Sequence, residues 1–422
     1  CCDSYGGHFS TFIERAAEQL DVPDFEVVSN TDLYEAGQME AATRTLLDQT
    51  AAARELLSEY QAGVGPDYVP FNPICESCGK ITETVTSYDS DAGTVEYRCT
   101  DMEAGEQVIE GCGHEGTATL REGKLPWRFE WPAQWQVLGV DFEPFGKDHA
   151  EGSWPSGQDI ATTLLDTEPP EPLTYEWFTL DGEPFSSSAG NVVLVSDVLD
   201  LLEVEVLRFF FSKNPSKARD FDRSRIDQLV DEFDRFERIY FDEDSGSDRE
   251  EALAERVYPF LVDEVDPDRV RIPYTFAAVL GMTDDRDLRI RMAENEGHLP
   301  PDADEATIAA ALERVPKARE WAKRQDNEYN YRLQTDLPDV DFEADIAAAL
   351  DDLADRVTET PGDGEAIQGA IYETAEAHGV GTGDFFAAGY RLFFGQDSGP
   401  QLGPLLAQLD AAFVVARLRR EA

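Results

Sequence analysis

The alternation of apolar and polar positions divides the chain into a mixed α/β part and a helical part. Residues 25–28 (Phe-Glu-Val-Val) and 175–178 (Tyr-Glu-Trp-Phe) each predict a strand, and Thr31 predicts the N-cap of an amphipathic helix. After Ser196 the apolar positions recur at three- and four-residue steps, as they do from Ile226 to Ile239. Because this spacing places apolar side chains on one face of a helix, the chain is expected to be helical from Ser196 to its end.

The helical part is expected to form an all-α domain of five to seven helices. Beyond residue 240 the amphipathic stretches predict helices at 252–265, 269–281, 305–324, 342–358, 364–377 and 400–420. No repeat of fixed period interrupts this series.

Four of the six cysteines lie in one short, β-leaning segment between positions 75 and 112. Cys75 and Cys78 have the spacing of two zinc ligands across a tight turn, and a hairpin would bring Cys99 and a fourth ligand to close the shell. Their clustering favours a shared site over four unrelated buried cysteines. We therefore predict a structural zinc site, with Cys112 as the expected fourth ligand and His114 as the alternative.

Aromatic residues are concentrated just after this segment. Trp127, Trp131 and Trp135 lie within nine residues, and the chain then reaches Asp148 and His149 through a Gly-Lys dipeptide. These rings could simply be core, which composition alone favours. Alternatively, they could form the walls of a pocket for a cationic or planar ligand, with the Gly-x-Asp-His end of a strand contacting it.

Residues 186–191 (Ser-Ser-Ser-Ala-Gly-Asn) predict a hydroxyl-rich loop. Backbone N–H groups and hydroxyls in such a loop can bind phosphate oxygens, although many Ser/Gly loops have no such role.

The charge balance is extreme, with 87 acidic and 35 basic residues and a formal net charge of −52. Aromatic residues make up 10% of the chain, which argues against an acidic disordered protein. An acidic, lysine-poor surface suits a folded protein in molar salt, where self-repulsion is screened. The net charge therefore does not exclude nucleic-acid binding here. No apolar run is long enough to span a membrane, and we expect a cytoplasmic protein.

Taken together and in order, several segments make the chain resemble the class I lysyl-tRNA synthetases. They are Gly113–Gly116 with the preceding cysteines, Leu125–Pro132, Asp141–His149, Ser186–Asn191, Glu205–Phe210, Asp231–Arg238 and Phe394–Pro404.

The resemblance implies a Rossmann-type α/β catalytic domain with a zinc-binding insertion, followed by an all-α C-terminal anticodon-binding domain. The implied segments are 1–70 (remainder of the first half of the catalytic domain), 71–122 (zinc-binding insertion), 123–215 (second half, with the serine ATP loop), 216–300 (helical stem-contact region) and 301–422 (anticodon-binding domain).

The resemblance also implies the reaction and its participants: ATP and Mg²⁺ activate L-lysine, and the lysyl group is transferred to tRNA(Lys), with Zn²⁺ structural and neither DNA nor a membrane involved. The implied lysine-binding residues are Trp127, Trp131, His149 and Tyr175. The implied ATP-binding residues are Gly146, Asp148, Ser187, Ser188 and Asn191. The implied catalytic loop residues are Ser186, Ser187, Ser188 and Gly190.

The chain departs from the family pattern at two places. Pro184, Phe185 and Ala189 replace the two lysines and the methionine of the family's Lys-Met-Ser-Ser-Ser-Lys-Gly-Asn loop, so another cation, such as Lys147, Arg208 or potassium, would have to compensate. The family's first ATP signature is expected upstream of Cys1, and the chain as given is expected to be inactive or nearly so. A non-catalytic tRNA-binding relative and another class I synthetase remain alternatives.

For tRNA contact we expect Arg391 and Arg417, in the helical part. The alternative is that the basic residues from Arg417 to Arg420 are an ordinary helix C-terminus favoured by the helix dipole.

Overall fold

The computed structural model describes residues 4–104, 107–186, 190–360 and 362–421. The chain divides into two compact units. The first unit consists of Cys1–Ala17, Val22–Phe178 and Asn214–Arg219, and the second consists of Glu18–Asp21, Thr179–Lys213 and Asp220–Ala422. The predicted segment 123–215 is therefore divided at Phe178, because residues 179–213 group with the helical part.

Up to Phe178 the chain alternates between helical and β regions. The helices are α1 (Tyr5–Gln19), α2 (Asn30–Glu35), α3 (Glu40–Asp48), α4 (Thr50–Tyr60), α5 (Trp127–Leu138), α6 (Lys147–Ala150) and α7 (Ser153–Thr163). The strands are β1 (Asn72–Pro73), β2 (Val85–Asp89), β3 (Thr94–Arg98), β4 (Met102–Ala104), β5 (Gln107–Ile109), β6 (Glu115–Thr119), β7 (Gly123–Lys124), β8 (Phe142–Gly146) and β9 (Glu171–Tyr175).

The predicted strand at 25–28 is wrong. The described residues before β1 contain helices and no strand, and the side chains of Phe25 and Val28 are 46% and 45% exposed. Because this described part contains no neighbouring strand, the backbone of residues 25–28 has no partner for the hydrogen bonds of a sheet. The N-cap of α2 is Ser29 and not the predicted Thr31. The side chain of Ser29 accepts a hydrogen bond from the Asp32 N–H.

A parallel β-α-β arrangement forms the α/β part of the first unit. Strands β8 and β9 pair in parallel from Phe142↔Glu171 to Gly146↔Tyr175, and helix α7 lies between them in sequence. Helix α7 packs against α5 at Gly157, where a Cβ would lie 2.8 Å from Trp135 Cη2. The glycine thus permits the close approach of the two helices.

The cysteine-rich segment has its own small core. Strands β2, β3 and β6 form an antiparallel sheet in that order. Leu47 of α3 packs into this core with the buried residues Phe71, Cys75, Val95, Tyr97, Cys99, Ala118 and Leu120. Two of the cysteines are therefore part of the core of this segment.

From Phe178 onward short strands lead into helices. The elements are β10 (Phe178–Leu180), β11 (Glu183–Pro184), α8 (Val195–Leu199), α9 (Val204–Ser212), β12 (Arg219–Phe221), α10 (Ile226–Tyr240), α11 (Asp248–Val257), α12 (Tyr274–Leu280), α13 (Arg286–Asn295), α14 (Glu305–Leu312), α15 (Arg314–Gln325), α16 (Ala344–Glu359), α17 (Gly364–Ala377), α18 (Thr382–Phe394), α19 (Leu402–Gln408) and α20 (Ala411–Leu418). Between 222 and 421, the described residues are helices and connecting segments without strands.

The helical part contains more helices than the periodicity predicted. The stretch 305–324 is divided at Glu313, and the stretch 400–420 is divided at residues 409–410. Helices α13 and α18 were not predicted, because α13 is half charged and α18 contains glycines at 383 and 389. In the described residues, no helix has the length and apolar character needed to cross a bilayer.

Candidate functional site

A cavity of about 380 Å³ opens where the carboxyl ends of β8 and β9 meet. Ligand sites of α/β proteins commonly lie at this edge of a parallel sheet. The cavity is lined by Trp127, Trp131, Glu143, Pro144, Phe145, Gly146, Lys147, Asp148, His149, Tyr175, Glu176, Trp177 and Phe178. Six residues predicted for lysine or ATP binding thus line one cavity: Trp127, Trp131, Gly146, Asp148, His149 and Tyr175.

Aromatic rings form one wall of this cavity. The rings of Trp127 and Trp131, four residues apart on α5, stack with their centroids 5.2 Å apart. The imidazole of His149 lies 5.8 Å from the first ring and 5.6 Å from the second. On its other side the ring of Trp131 packs against the rings of Trp135 and Trp154, at centroid distances of 5.1 and 5.7 Å. The buried rings support those that face the cavity.

The end of β8 places Asp148 beside the cavity. Helix α6 begins directly after Gly146, and a Cβ at Gly146 would lie 2.6 Å from Asp148 Oδ1. A side chain at position 146 would therefore have to displace this carboxylate. His149 Nε2 lies 3.5 Å from Asp148 Oδ2, so a protonated imidazole would form an ion pair with this carboxylate.

Sequence reasoning did not predict the two glutamates that line the cavity. Glu143 Oε2 accepts a hydrogen bond of 3.0 Å from the indole N–H of Trp135, and burial raises the pKa of this carboxyl. Glu176 Oε1 lies 2.8 Å from Lys147 Nζ. A signal for Glu143 existed in the strand alternation, because Glu143 and Phe145 share a side of β8 while Phe142 is 53% exposed.

The four interior cysteines converge on one point. Cys75 Sγ lies 3.6 Å from Cys112 Sγ, Cys78 Sγ lies 3.7 Å from Cys99 Sγ, and all four sulfur atoms lie within 4.8 Å of one another. Zn–S bonds of about 2.3 Å in a tetrahedron require sulfur–sulfur distances of about 3.8 Å. The donor set and its spacing fit a structural zinc ion.

Two glycines with positive φ make these turns possible. Gly79 (φ +71°) and Gly113 (φ +75°) each follow a cysteine of the cluster directly. The N–H of Gly79 donates to Cys75 O at 2.7 Å, and the N–H of Gly113 donates to Cys99 O at 2.9 Å. His114 instead lies 2.9 Å from Glu76 through Nε2. In the described chain it is outside the sulfur cluster, which favours Cys112 as the fourth ligand.

The pKa values of two thiols in this cluster shift in opposite directions. Burial raises the pKa of Cys75, but N–H groups of Cys78 and Ser77 outweigh it and lower that pKa to about 6. The N–H of Cys112 lowers the pKa of Cys99, but burial and the neighbouring thiols raise it to about 11. One thiolate therefore makes it harder to ionise the next, and a bound metal ion removes this conflict.

The serine loop belongs to the second unit. The N–H of Ser186 donates to Asn191 O at 2.9 Å, the N–H of Asn191 returns a bond of 3.0 Å, and Gly190 has φ +73°. Asn191 Nδ2 also donates to Pro184 O at 2.8 Å. Ser187 and Ser188 lie outside the described residues. The backbone thus closes the loop at its base.

The two arginines expected to contact tRNA differ. The side chain of Arg391 is 47% exposed and paired with Asp397. Arg417 was wrongly assigned, because it is fully buried. Its Nη1 donates to Asp336 O at 2.7 Å and Leu392 O at 3.1 Å, and its Nη2 donates to the carbonyls of residues 334 and 335 at 3.2 and 3.0 Å.

Comparisons with known proteins agree with the resemblance. The family model described as tRNA synthetases class I (K) matches residues 1–262. A lysine–tRNA ligase of Halobacterium salinarum is 65% identical over 100% of this chain and 77% of its own length. Those of Natronomonas pharaonis and Haloarcula marismortui are 62% and 60% identical with the same coverage. These relatives come from halophilic archaea, as the charge balance predicts. The chain belongs to the class I tRNA synthetases, in the lysine–tRNA ligase family.

Proposed function

We propose that the protein activates L-lysine with ATP to give lysyl-adenylate and transfers the lysyl group to tRNA(Lys). Family membership supports the reaction class. The observation that carries the proposal is the cavity at the ends of β8 and β9, because it combines stacked indole rings with carboxylates. Both features favour a ligand with an extended apolar stem and a cationic end.

In the proposed reaction the lysine carboxylate attacks the α-phosphorus of ATP, and pyrophosphate leaves. Trp127, Trp131, His149 and Tyr175 would hold lysine, and Gly146 and Asp148 would face the nucleotide. Such a step requires positioning and charge neutralisation more than covalent catalysis. Mg²⁺ would accompany ATP and neutralise its phosphates.

The serine loop is proposed to contact the ATP phosphates through Ser186, Ser187, Ser188, Gly190 and Asn191. Because the loop lacks lysine, a cation elsewhere is required. Arg208 is an unsuitable candidate, since its N–H groups donate to Leu20 O, Leu261 O and Asp263. Lys147 lines the cavity but is already paired with Glu176, which leaves bound potassium as the remaining candidate.

We further propose that Cys75, Cys78, Cys99 and Cys112 hold a structural zinc ion in the insertion 71–122. The helical regions 216–300 and 301–422 would contact the tRNA stem and anticodon, with Arg391 as a contributor. Its exposed guanidinium supports this role.

The test is amino-acid-dependent exchange of pyrophosphate into ATP, with the full-length protein in molar KCl. Exchange with lysine and none with glutamate is the expected result, followed by aminoacylation of tRNA(Lys). Exchange with another amino acid in preference to lysine would assign a different synthetase specificity.

A non-catalytic tRNA-binding relative is the second candidate, and the loss of both loop lysines at Pro184 and Ala189 favours it. Such a protein would bind tRNA(Lys) but show no exchange with any amino acid. That outcome would reject the enzyme and retain the tRNA-binding role.

A further inference from the structure

Three carboxylates line the cavity, and two of them have a basic neighbour. Glu176 Oε1 lies 2.8 Å from Lys147 Nζ, and Asp148 Oδ2 lies 3.5 Å from His149 Nε2. Glu143 is different. In the described residues no lysine, arginine or histidine lies within ion-pair distance of its carboxylate, although the side chain is half-buried.

The contacts of Glu143 are neutral hydrogen-bond donors. The indole N–H of Trp135 donates to Oε2 at 3.0 Å, and Trp131 supplies a second indole contact. Trp135 is itself buried at 2% exposure, so this donor is fixed in place. Indole donors orient the carboxylate without cancelling its charge.

A half-buried carboxylate that has only neutral hydrogen-bond donors is stabilised when a cationic ligand binds beside it. Removing a carboxylate from water is costly unless an opposite charge balances it, and burial accordingly raises the pKa of Glu143. The surrounding faces of Trp127 and Trp131 add attraction for an ammonium group.

We propose that Glu143 binds the ε-ammonium group of the substrate amino acid and so selects a cationic side chain. This inference rests on the proposed function, because it assigns the lysine end of the same cavity. Lys147 pairs with Glu176 and His149 lies beside Asp148, whereas Glu143 has no basic neighbour among the described residues, so its charge is the one without a partner. The indole wall then contacts the methylene stem of the substrate.

The test uses Glu143→Gln in the full-length protein, in molar KCl. Glutamine keeps the size and an oxygen for the Trp135 indole N–H but removes the charge. Binding of lysine and of norleucine, which lacks the ammonium group, is measured by calorimetry and by inhibition of pyrophosphate exchange. Glu55→Gln, an exposed position on α4, is the matched control for loss of one charge.

We expect Glu143→Gln to weaken lysine binding by roughly 10- to 100-fold, since a charge-assisted hydrogen bond is lost. Norleucine binding should change by less than about twofold, and Glu55→Gln should bind both as the unchanged protein does. Unchanged lysine binding in Glu143→Gln, or equal weakening for both ligands, would overturn the inference.

Two further results keep the inference separate from the proposed function and from misfolding. If the unchanged protein exchanges pyrophosphate with no amino acid, the proposed function fails by itself. If Glu143→Gln does not fold, the affinities of the unchanged protein for the two ligands test the inference instead. Lysine should bind at least about tenfold more tightly than norleucine. Equal affinities would exclude a carboxylate–ammonium contact.

Discussion

The exposed guanidinium of Arg391 stands out in the acidic helical part of the protein. It lies in the last turn of α18 and pairs with Asp397 of the following segment. Exposed ion pairs of this kind contribute little to stability. A phosphate group could therefore replace Asp397 as the partner at small cost.

We predict that Arg391→Ala weakens tRNA binding roughly three- to tenfold without changing lysine-dependent pyrophosphate exchange. Filter binding at several KCl concentrations would also show a shallower salt dependence, because one phosphate contact is lost. Arg356→Ala, a partly exposed and ion-paired arginine on α16, is the control. Equal affinity of the Arg391 variant and the unchanged protein would remove Arg391 from the interface.

Gly146, Asp148 and Tyr175 were found together because motif order places them at the ends of adjacent parallel strands, whereas the two predicted tryptophans line the cavity from α5. Gly146 and Tyr175 are register partners, a relation that strand periodicity alone did not specify. Glu143 was missed because its lack of a basic neighbour is a three-dimensional property. Arg417 was misassigned because a basic residue in a last helical turn is equally typical of a solvent-exposed end and of a buried carbonyl-binding position.

Short elements were harder to predict than long ones. The periodic stretches that form α10, α16 and α17 matched the observed helices within a few residues, because one wide apolar face is a strong signal. The strand at 25–28 failed because a strand requires a partner that local sequence does not reveal. Turn glycines such as Gly79 were informative, since a positive φ there follows from the close return of the chain.

The cysteine cluster of the 71–122 insertion allows a test of which residue is the fourth zinc ligand. We expect Cys112→Ser to lower zinc content from about one ion per chain and to destabilise the 71–122 insertion, because a closed site needs all four ligands. His114→Ala should retain the metal. Metal analysis by mass spectrometry together with thermal unfolding would measure both. Loss of zinc in the histidine variant alone would reverse the assignment of the fourth ligand.

A buried ionic network joins α9, α10 and the segment before α12. Arg271 contacts Glu237 at 2.8 and 2.9 Å and Glu205 at 3.0 Å, and Arg269 also contacts Glu205 at 2.6 Å. Burial alone would raise the pKa of both glutamates. The arginines outweigh it, and both pKa values lie below the ordinary value of 4.5.

Because these pKa values are lowered in the folded protein, the network stabilises the fold above about pH 4.5 and loses that effect as pH falls further. We predict that Arg271→Met costs roughly 3–5 kcal/mol at pH 7, since the buried Glu237 loses its ion-pair partner and Glu205 keeps only Arg269. The cost should shrink towards pH 3. Urea unfolding across this range would measure it, with exposed Arg256→Met as control. A cost that is independent of pH would contradict the assignment.

For the whole molecule the net charge of −52 is the dominant electrostatic property. In molar salt the Debye length is about 3 Å, and at 0.1 M it is about 10 Å. Neighbouring surface carboxylates therefore repel one another much more strongly at low salt. We therefore expect the stability of the fold to increase strongly with salt concentration.

We predict that transfer from 3 M to 0.1 M KCl lowers the midpoint of thermal unfolding by roughly 10 °C or more, corresponding to several kcal/mol. Circular dichroism would follow the transition. Sucrose in place of KCl should not restore the midpoint, because it does not screen charge. An unchanged midpoint at low salt would show that surface repulsion is unimportant.

Arg417 donates hydrogen bonds to four carbonyl groups and so connects α20 to the interior of the helical part. Those carbonyls belong to residues 334, 335, 336 and 392, far back along the chain. During synthesis they stay without this donor until the final turn emerges from the ribosome. A chain truncated before position 417 would thus leave these four carbonyl groups without their donor, and such a product should be degraded rather than accumulate.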